Sequence, residues 1–157
     1  MKTTAHRLTP SIPPLVVMLL ASLGAWMIAQ LSPALKIKSA ALDVVAAGLG
    51  LLGIGCSLLG VVAFRRARTT VNPLKPGAAT ALVVSGIYAF TRNPMYLGFL
   101  LGLLAEIAWL GSPVALIAAA AFVATLNHFQ IAPEECALRE RFGAEFTAYT
   151  TRVPRWL

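Results

Sequence analysis

The sequence predicts an all-α integral membrane protein: about four transmembrane helices followed by an amphipathic cytoplasmic helix at the C-terminus. Three observations carry this. Of the 157 residues, 58% are hydrophobic and 12% charged. Ordinary soluble domains are roughly 45–50% apolar and about 25% charged, and a chain this short has too little interior to hide the surplus. The apolar residues gather in four runs, and eleven of the 13 basic residues fall on one side of the bundle those runs imply. A soluble monomer, a disordered chain and a disulfide scaffold are thereby excluded. The length fits a single domain over 1–157.

The first run, Leu15–Leu31, is entered through Pro13 and Pro14 and predicts a helix over 13–31. The second, Ala40–Phe64, carries one charge, Asp43, near its start and predicts a helix over 40–64. The third, Met95–Leu110, is interrupted by Glu106. The fourth, Val114–Leu126, is expected to continue through Asn127, His128 and Gln130. A spanning helix needs about 17–25 mostly apolar residues. The second run meets this comfortably and the first just meets it. The third and fourth are short and joined only by Gly111, Ser112 and Pro113, which predicts a tight hairpin of helices over 94–110 and 113–131. Lys2 and Arg7 before the first run also fit a signal peptide. No small-x-small cleavage site follows Leu31, so the first helix is expected to be retained.

Charge orients the bundle. The N-terminus, residues 65–94 and the tail 133–157 share one side and hold eleven of the 13 basic residues; the other side has Lys36 and Lys38. The positive-inside rule then places both termini in the cytoplasm. The net charge of +7 is explained by topology and anionic headgroups. Aromatic residues do not interleave with the basic ones as a base-stacking surface requires, so no nucleic-acid partner is expected.

Gly48, Gly50 and Gly53 spell G-x-G-x-x-G. The dinucleotide fingerprint needs a preceding strand and a following helix N-terminus, and these glycines lie inside an unbroken apolar run. With Cys56, Ser57 and Gly60 they form small-xxx-small pairs that let membrane helices approach closely. Cys56 and Cys136 lie in different environments, which disfavours a disulfide. His6 and His128 lack the carboxylate or thiolate company of a metal site.

Two constellations can carry chemistry. In Gly86-Ile87-Tyr88-Ala89-Phe90-Thr91-Arg92-Asn93-Pro94-Met95-Tyr96-Leu97-Gly98, Pro94 suits the first position of the third helix. Arg92 and Asn93 then sit at its mouth, where backbone N–H groups and the dipole favour an anion. The plain alternative is a capped helix with an arginine reaching to headgroups. The segment Thr69–Gly77 before it carries Pro73 and Pro76, which force extended or turn backbone. The second constellation is Asn127-His128-Phe129-Gln130-Ile131-Ala132-Pro133-Glu134-Glu135. Pro133 is expected to start a helix whose first turn holds both glutamates, and Glu135 can pair with Arg139 four residues on. Adjacent helical residues differ by about 100°, so the two carboxylates do not form a dyad. Leu138, Phe142 and Phe146 recur every four residues, which predicts an amphipathic helix at the membrane surface. Glu106 is the one acid well inside a span, where carboxylates face the bundle interior.

R-N-P-M-Y-x-G after G-x-Y, a short hairpin, then E-E-x-x-L-x-x-x-F-G-x-x-F-x-x-Y and a terminal V-P-R-W resemble the isoprenylcysteine carboxyl methyltransferase / phospholipid methyltransferase superfamily, above all its small bacterial members. The resemblance covers about 65–157. It implies an S-adenosylmethionine-dependent methyltransferase of the membrane, with a cofactor pocket built from the last two membrane helices and the C-terminal part. Matching positions make Tyr88, Arg92, Asn93, Tyr96, Gly98, Glu134 and Glu135 the cofactor candidates. Asn93 stands where the family often has His. Gln130 and Ile131 stand where the isoprenylcysteine enzymes have an Arg, which argues against an isoprenylcysteine carboxylate as acceptor. The residues suit the cofactor: Arg92 its carboxylate, a glutamate its ammonium or sulfonium, and Tyr88, Tyr96 and Tyr149 its ring. The methyl acceptor must reach a pocket opening to lipid, so a lipid or small amphiphile is expected as substrate. Two other readings use the same chain. An NADPH-dependent membrane reductase of related fold would call for a basic cluster at a 2′-phosphate. A small four-helix transporter with Glu106 as its proton site would not need the elaborate 65–94 segment or so long a tail.

Overall fold

The computed structural model describes residues 12–67 and 81–157. The segment Thr69–Gly77, Lys75 and the basic residues near the N-terminus lie outside them. The described residues form five α-helices: α1 (Pro14–Leu31), α2 (Ala40–Arg66), α3 (Pro94–Leu110), α4 (Leu116–Leu126) and α5 (Ala132–Thr150). No strand occurs among the described residues.

The helix ends follow local chemistry. Pro14 and Pro94 open α1 and α3, where a missing N–H costs nothing. Ser39 caps α2 by accepting from the Leu42 N–H at 3.3 Å. Asp43 stands in the first turn of α2 and Arg65 and Arg66 in its last, each complementing the dipole. Gly111 ends α3 with φ of 64°, in the left-handed region that a β-carbon disfavours. A side chain there would also overlap the Ile37 carbonyl.

Among the described residues, three helical stretches are long and apolar enough to cross a membrane: Pro14–Leu31, Ala40–Arg66 and Pro113–Thr150. The fourth apolar helix, Pro94–Leu110, has 17 residues, the lower end of the spanning range. The protein is therefore an all-α integral membrane protein. Large apolar side chains such as Leu51, Leu52, Ile54, Leu58 and Leu59 point outward from α2, as a lipid solvent allows.

Contact between α2 and α3 is made by backbones rather than large side chains. A Cβ at Gly53 would lie 2.7 Å from the Gly98 carbonyl oxygen, and one at Gly60 would lie 2.9 Å from Met95 Cγ. A Cβ at Gly98 would overlap Ser57 Oγ and the Gly53 carbonyl. Of the G-x-G-x-x-G run, Gly53 supplies the close helix packing, while Gly48 faces open space. Against the other side of α3 stand α1 and α4, around Ala25, Leu103, Ile107, Ala119 and Phe122. Glu106 accepts a hydrogen bond from the Ser22 hydroxyl, tying α3 to α1. At this end of the bundle Ile37 N–H donates to the Gly111 carbonyl at 2.7 Å. Lys38 bonds the Trp109 carbonyl and lies 5.4 Å from that residue's ring centroid.

Two expectations are corrected. Pro133 does not begin a separate helix. A π turn over Asn127–Ile131 joins α4 to α5, so a helical path of 38 residues runs from Pro113 to Thr150. A proline ring clashes with the carbonyl four residues back, and the widened turn gives it room. Nor do Leu138, Phe142 and Phe146 lie on one straight helix. Gly143, at φ 50° and ψ −119°, kinks α5 between them. Phe146 is buried with Tyr149 and Val153, and Leu82, Leu138 and Phe142 pack around that cluster. The apolar side chains of this helix therefore pack into protein.

Candidate active site

The end of the bundle that carries Arg65 and Arg66 gathers the polar chemistry. Gly86, at φ 64°, turns the chain into a short 3-10 stretch, Gly86–Ala89. This stretch buries Tyr88. The Tyr88 ring meets Phe64 of α2 edge-on, with centroids 5.2 Å apart. Its carbonyl accepts the Tyr149 hydroxyl at 2.7 Å. Burial pushes the Tyr88 hydroxyl well above the usual phenol range, so it stays protonated.

Thr91, Arg92 and Asn93 form the mouth of α3, and all three bond the C-terminal strap. Arg92 N–H donates to the Pro154 carbonyl at 3.0 Å. Asn93 Nδ2 donates to the Arg155 carbonyl at 2.9 Å, and Thr91 Oγ1 reaches the same oxygen at 3.4 Å. Trp156 Nε1 donates to Asn127 Oδ1 in the π turn at 3.1 Å. Residues 154–156 thus pin the start of α3 to the junction of α4 and α5.

Glu135 sits between two guanidiniums. Arg155 grips it with both arms, Nε to Oε1 at 3.0 Å and Nη2 to Oε2 at 2.7 Å. Arg92 touches only one edge, Nη1 to Oε1 at 3.1 Å. Hydrogen bonding to Glu135 pushes the Arg155 pKa further up. The Arg92 and Glu135 side chains are 14% and 12% exposed, Arg155 36%, so water screens the inner pair least. The expected partner of Glu135, Arg139, instead stacks 5.9 Å from the Phe146 ring centroid. Local helical spacing lost here to a bidentate partner from the folded-back tail.

Glu134 points elsewhere, as neighbouring helical positions must. Its Oε1 accepts from the Tyr96 hydroxyl at 2.7 Å and from Gln130 Nε2 at 2.6 Å. Both donors are neutral, so they orient the carboxyl group without pairing it to a cation. Arg92 carries a complementary feature. Its Nε is buried and has no hydrogen-bond partner among the described residues. A buried donor left unpaired costs about 1–3 kcal/mol, and in a folded protein it calls for an acceptor.

Of the candidates from sequence, the structure brings Tyr88, Arg92, Asn93, Tyr96, Glu134 and Glu135 to this one end. Gly98 does not join them: it faces Gly53 and Ser57 of α2. Its place in R-N-P-M-Y-x-G reflects helix packing. Asn127, Gln130, Arg155 and Trp156 complete the cluster. Asn127 and Gln130 belong to the second constellation read from the sequence, which gave them no role of their own; Arg155 and Trp156 were signalled by the terminal V-P-R-W.

An all-helical membrane bundle with an Arg–Glu cluster at the mouth of its third helix is the class of protein these features define. Residues 42–145 match the family model described as phospholipid methyltransferase, and the chain belongs to that family. It is a membrane methyltransferase of the isoprenylcysteine / phospholipid methyltransferase superfamily. An uncharacterized protein of Haemophilus influenzae is 46% identical over 63 residues, 40% of this chain and the whole of that protein. Protein-S-isoprenylcysteine O-methyltransferase B of Arabidopsis thaliana is 36% identical over 73 residues, 46% of this chain and 37% of the plant protein. No solved structure matches.

Proposed function

We propose that this protein transfers a methyl group from S-adenosylmethionine to a lipid or small amphiphilic acceptor, at a site on the cytoplasmic face of the membrane. The observation that carries the reading is the pairing of two poles. Among the described residues, Arg92 keeps a buried Nε without a hydrogen-bond partner, while the donors to Glu134 are neutral. The cofactor's methionine end has the matching charges, a carboxylate and, close by, an ammonium and the sulfonium that bears the methyl group.

On this reading Arg92 binds the carboxylate through its guanidinium, since the Arg92 and Asn93 amides are already bonded to Pro154 and Thr91. Glu134 takes the ammonium or faces the sulfonium. Tyr96 and Gln130 hold Glu134 in place. Tyr88 and Asn93 line the same end, and Glu135 lies between the two arginines. Methyl transfer is an in-line displacement that rests on positioning and exclusion of water. The apolar surround and the C-terminal strap supply both. The cytoplasmic orientation rests on eleven of the 13 basic residues lying on the side of the site.

The test is calorimetry on the detergent-purified protein, with S-adenosylmethionine and NADPH as competing titrants. Binding of the first and not the second is the expected result. The reverse would favour the reductase reading.

A further inference from the structure

We propose that Arg155 is a positioning residue: it draws Glu135 away from Arg92 and so keeps the Arg92 fork open to an incoming anion. The inference rests on the reading of Arg92 as the partner of the cofactor carboxylate. It adds a second arginine, from the far end of the chain, whose action runs through Glu135.

The geometry is asymmetric. Glu135 gives both oxygens to Arg155, at 3.0 and 2.7 Å, and shares only Oε1 with Arg92, at 3.1 Å. A carboxylate beside a single guanidinium takes the bidentate arrangement. Without Arg155, the nearest fork for Glu135 is that of Arg92, whose buried Nε is unpartnered. Glu135 would then fill the place of the cofactor carboxylate and compete with it. The backbone makes the role of Arg155 dependable. Thr91 and Asn93, on either side of Arg92, both bond the Arg155 carbonyl, and the Arg92 N–H holds Pro154. Strap and fork are thus fixed to each other, and the Arg155 side chain holds both oxygens of Glu135.

The experiment measures S-adenosylmethionine binding to the full-length, detergent-purified protein by calorimetry, for wild type, Arg155→Gln, Glu135→Gln and the double variant. Arg155→Gln should weaken binding by about 10–100-fold. The double variant should recover most of that loss, because the neutral amide introduced by Glu135→Gln has no charge with which to compete. A decarboxylated cofactor analogue should bind wild type and Arg155→Gln alike. If the double variant stays as weak as Arg155→Gln, or the analogue loses the same factor, Arg155 acts directly or only braces the strap, and the inference is overturned. Should Arg155→Gln fail to fold, Arg155→Lys carries the test. Its single contact should give a smaller loss that Glu135→Gln again relieves, and a loss that Glu135→Gln does not relieve counts against the inference. Failure of the wild type to bind the cofactor would instead overturn the underlying reading of the site.

Discussion

Tyr96 of α3 donates its hydroxyl to Glu134 of α5 at 2.7 Å, across 38 positions of sequence. Tyr96 is buried and Glu134 half-buried, and Gln130 supplies the second donor to the same oxygen. The bond sets where the Glu134 carboxyl group stands at the end of the bundle. Tyr96→Phe leaves that carboxylate with one donor fewer, at a cost of about 1–3 kcal/mol. The variant should unfold at a lower temperature in detergent and bind S-adenosylmethionine more weakly. An unchanged melting midpoint together with unchanged affinity would show that the bond orients nothing.

Arg92 offers a test of charge against geometry. A guanidinium can meet a carboxylate through two parallel bonds, and an ammonium cannot. Arg92→Ala should lower cofactor affinity by about 10–150-fold, and Arg92→Lys should recover only part of this. A decarboxylated analogue should bind wild type and Arg92→Ala about equally. Equal losses for cofactor and analogue would mean that Arg92 acts on the fold.

Gly98 separates packing from binding. A Cβ there would overlap both Ser57 Oγ and the Gly53 carbonyl, and the latter is backbone that cannot turn aside. Gly98→Ala should push α3 from α2 and cost about 1–3 kcal/mol, read as a lower melting temperature. At a temperature where the variant is still folded, cofactor affinity should stay near wild type. A selective loss of affinity with an unchanged melting curve would return Gly98 to the binding site.

Sidedness is testable in intact cells. In a background with Cys56 and Cys136 replaced by Ser, single cysteines are placed at Lys36 and at Arg152. An impermeant thiol reagent should label position 36 from outside and reach position 152 only after the membrane is opened. The opposite labelling pattern would invert the topology and put the site on the outer face.

What could be read from the chain alone is what depends on local composition. Ala40–Phe64 needs no partner to declare itself a span, because its apolar length is set against lipid and not against another helix. Pro94 marks the start of α3 because its ring and missing N–H suit that position in any context. Gly53, Ser57 and Gly60 announce a close helix contact, although nothing local says that Gly98 lies opposite. The site is different. Glu135 and Arg155 are 20 positions apart, and Asn93 and the Arg155 carbonyl 62 apart. Which of them meet is decided by the rotational phase of each helix and by the path of the tail. One extra residue in a π turn rotates everything beyond it by about 100°, and the turn over Asn127–Ile131 does this just ahead of Glu134 and Glu135. Spacing counted along α5 pointed Glu135 to Arg139, and that local spacing is intact; the π turn sets which way the whole start of α5 faces. Tertiary structure gave it instead to Arg92 and Arg155, because a bidentate guanidinium from the folded-back strap outcompetes a single helical neighbour.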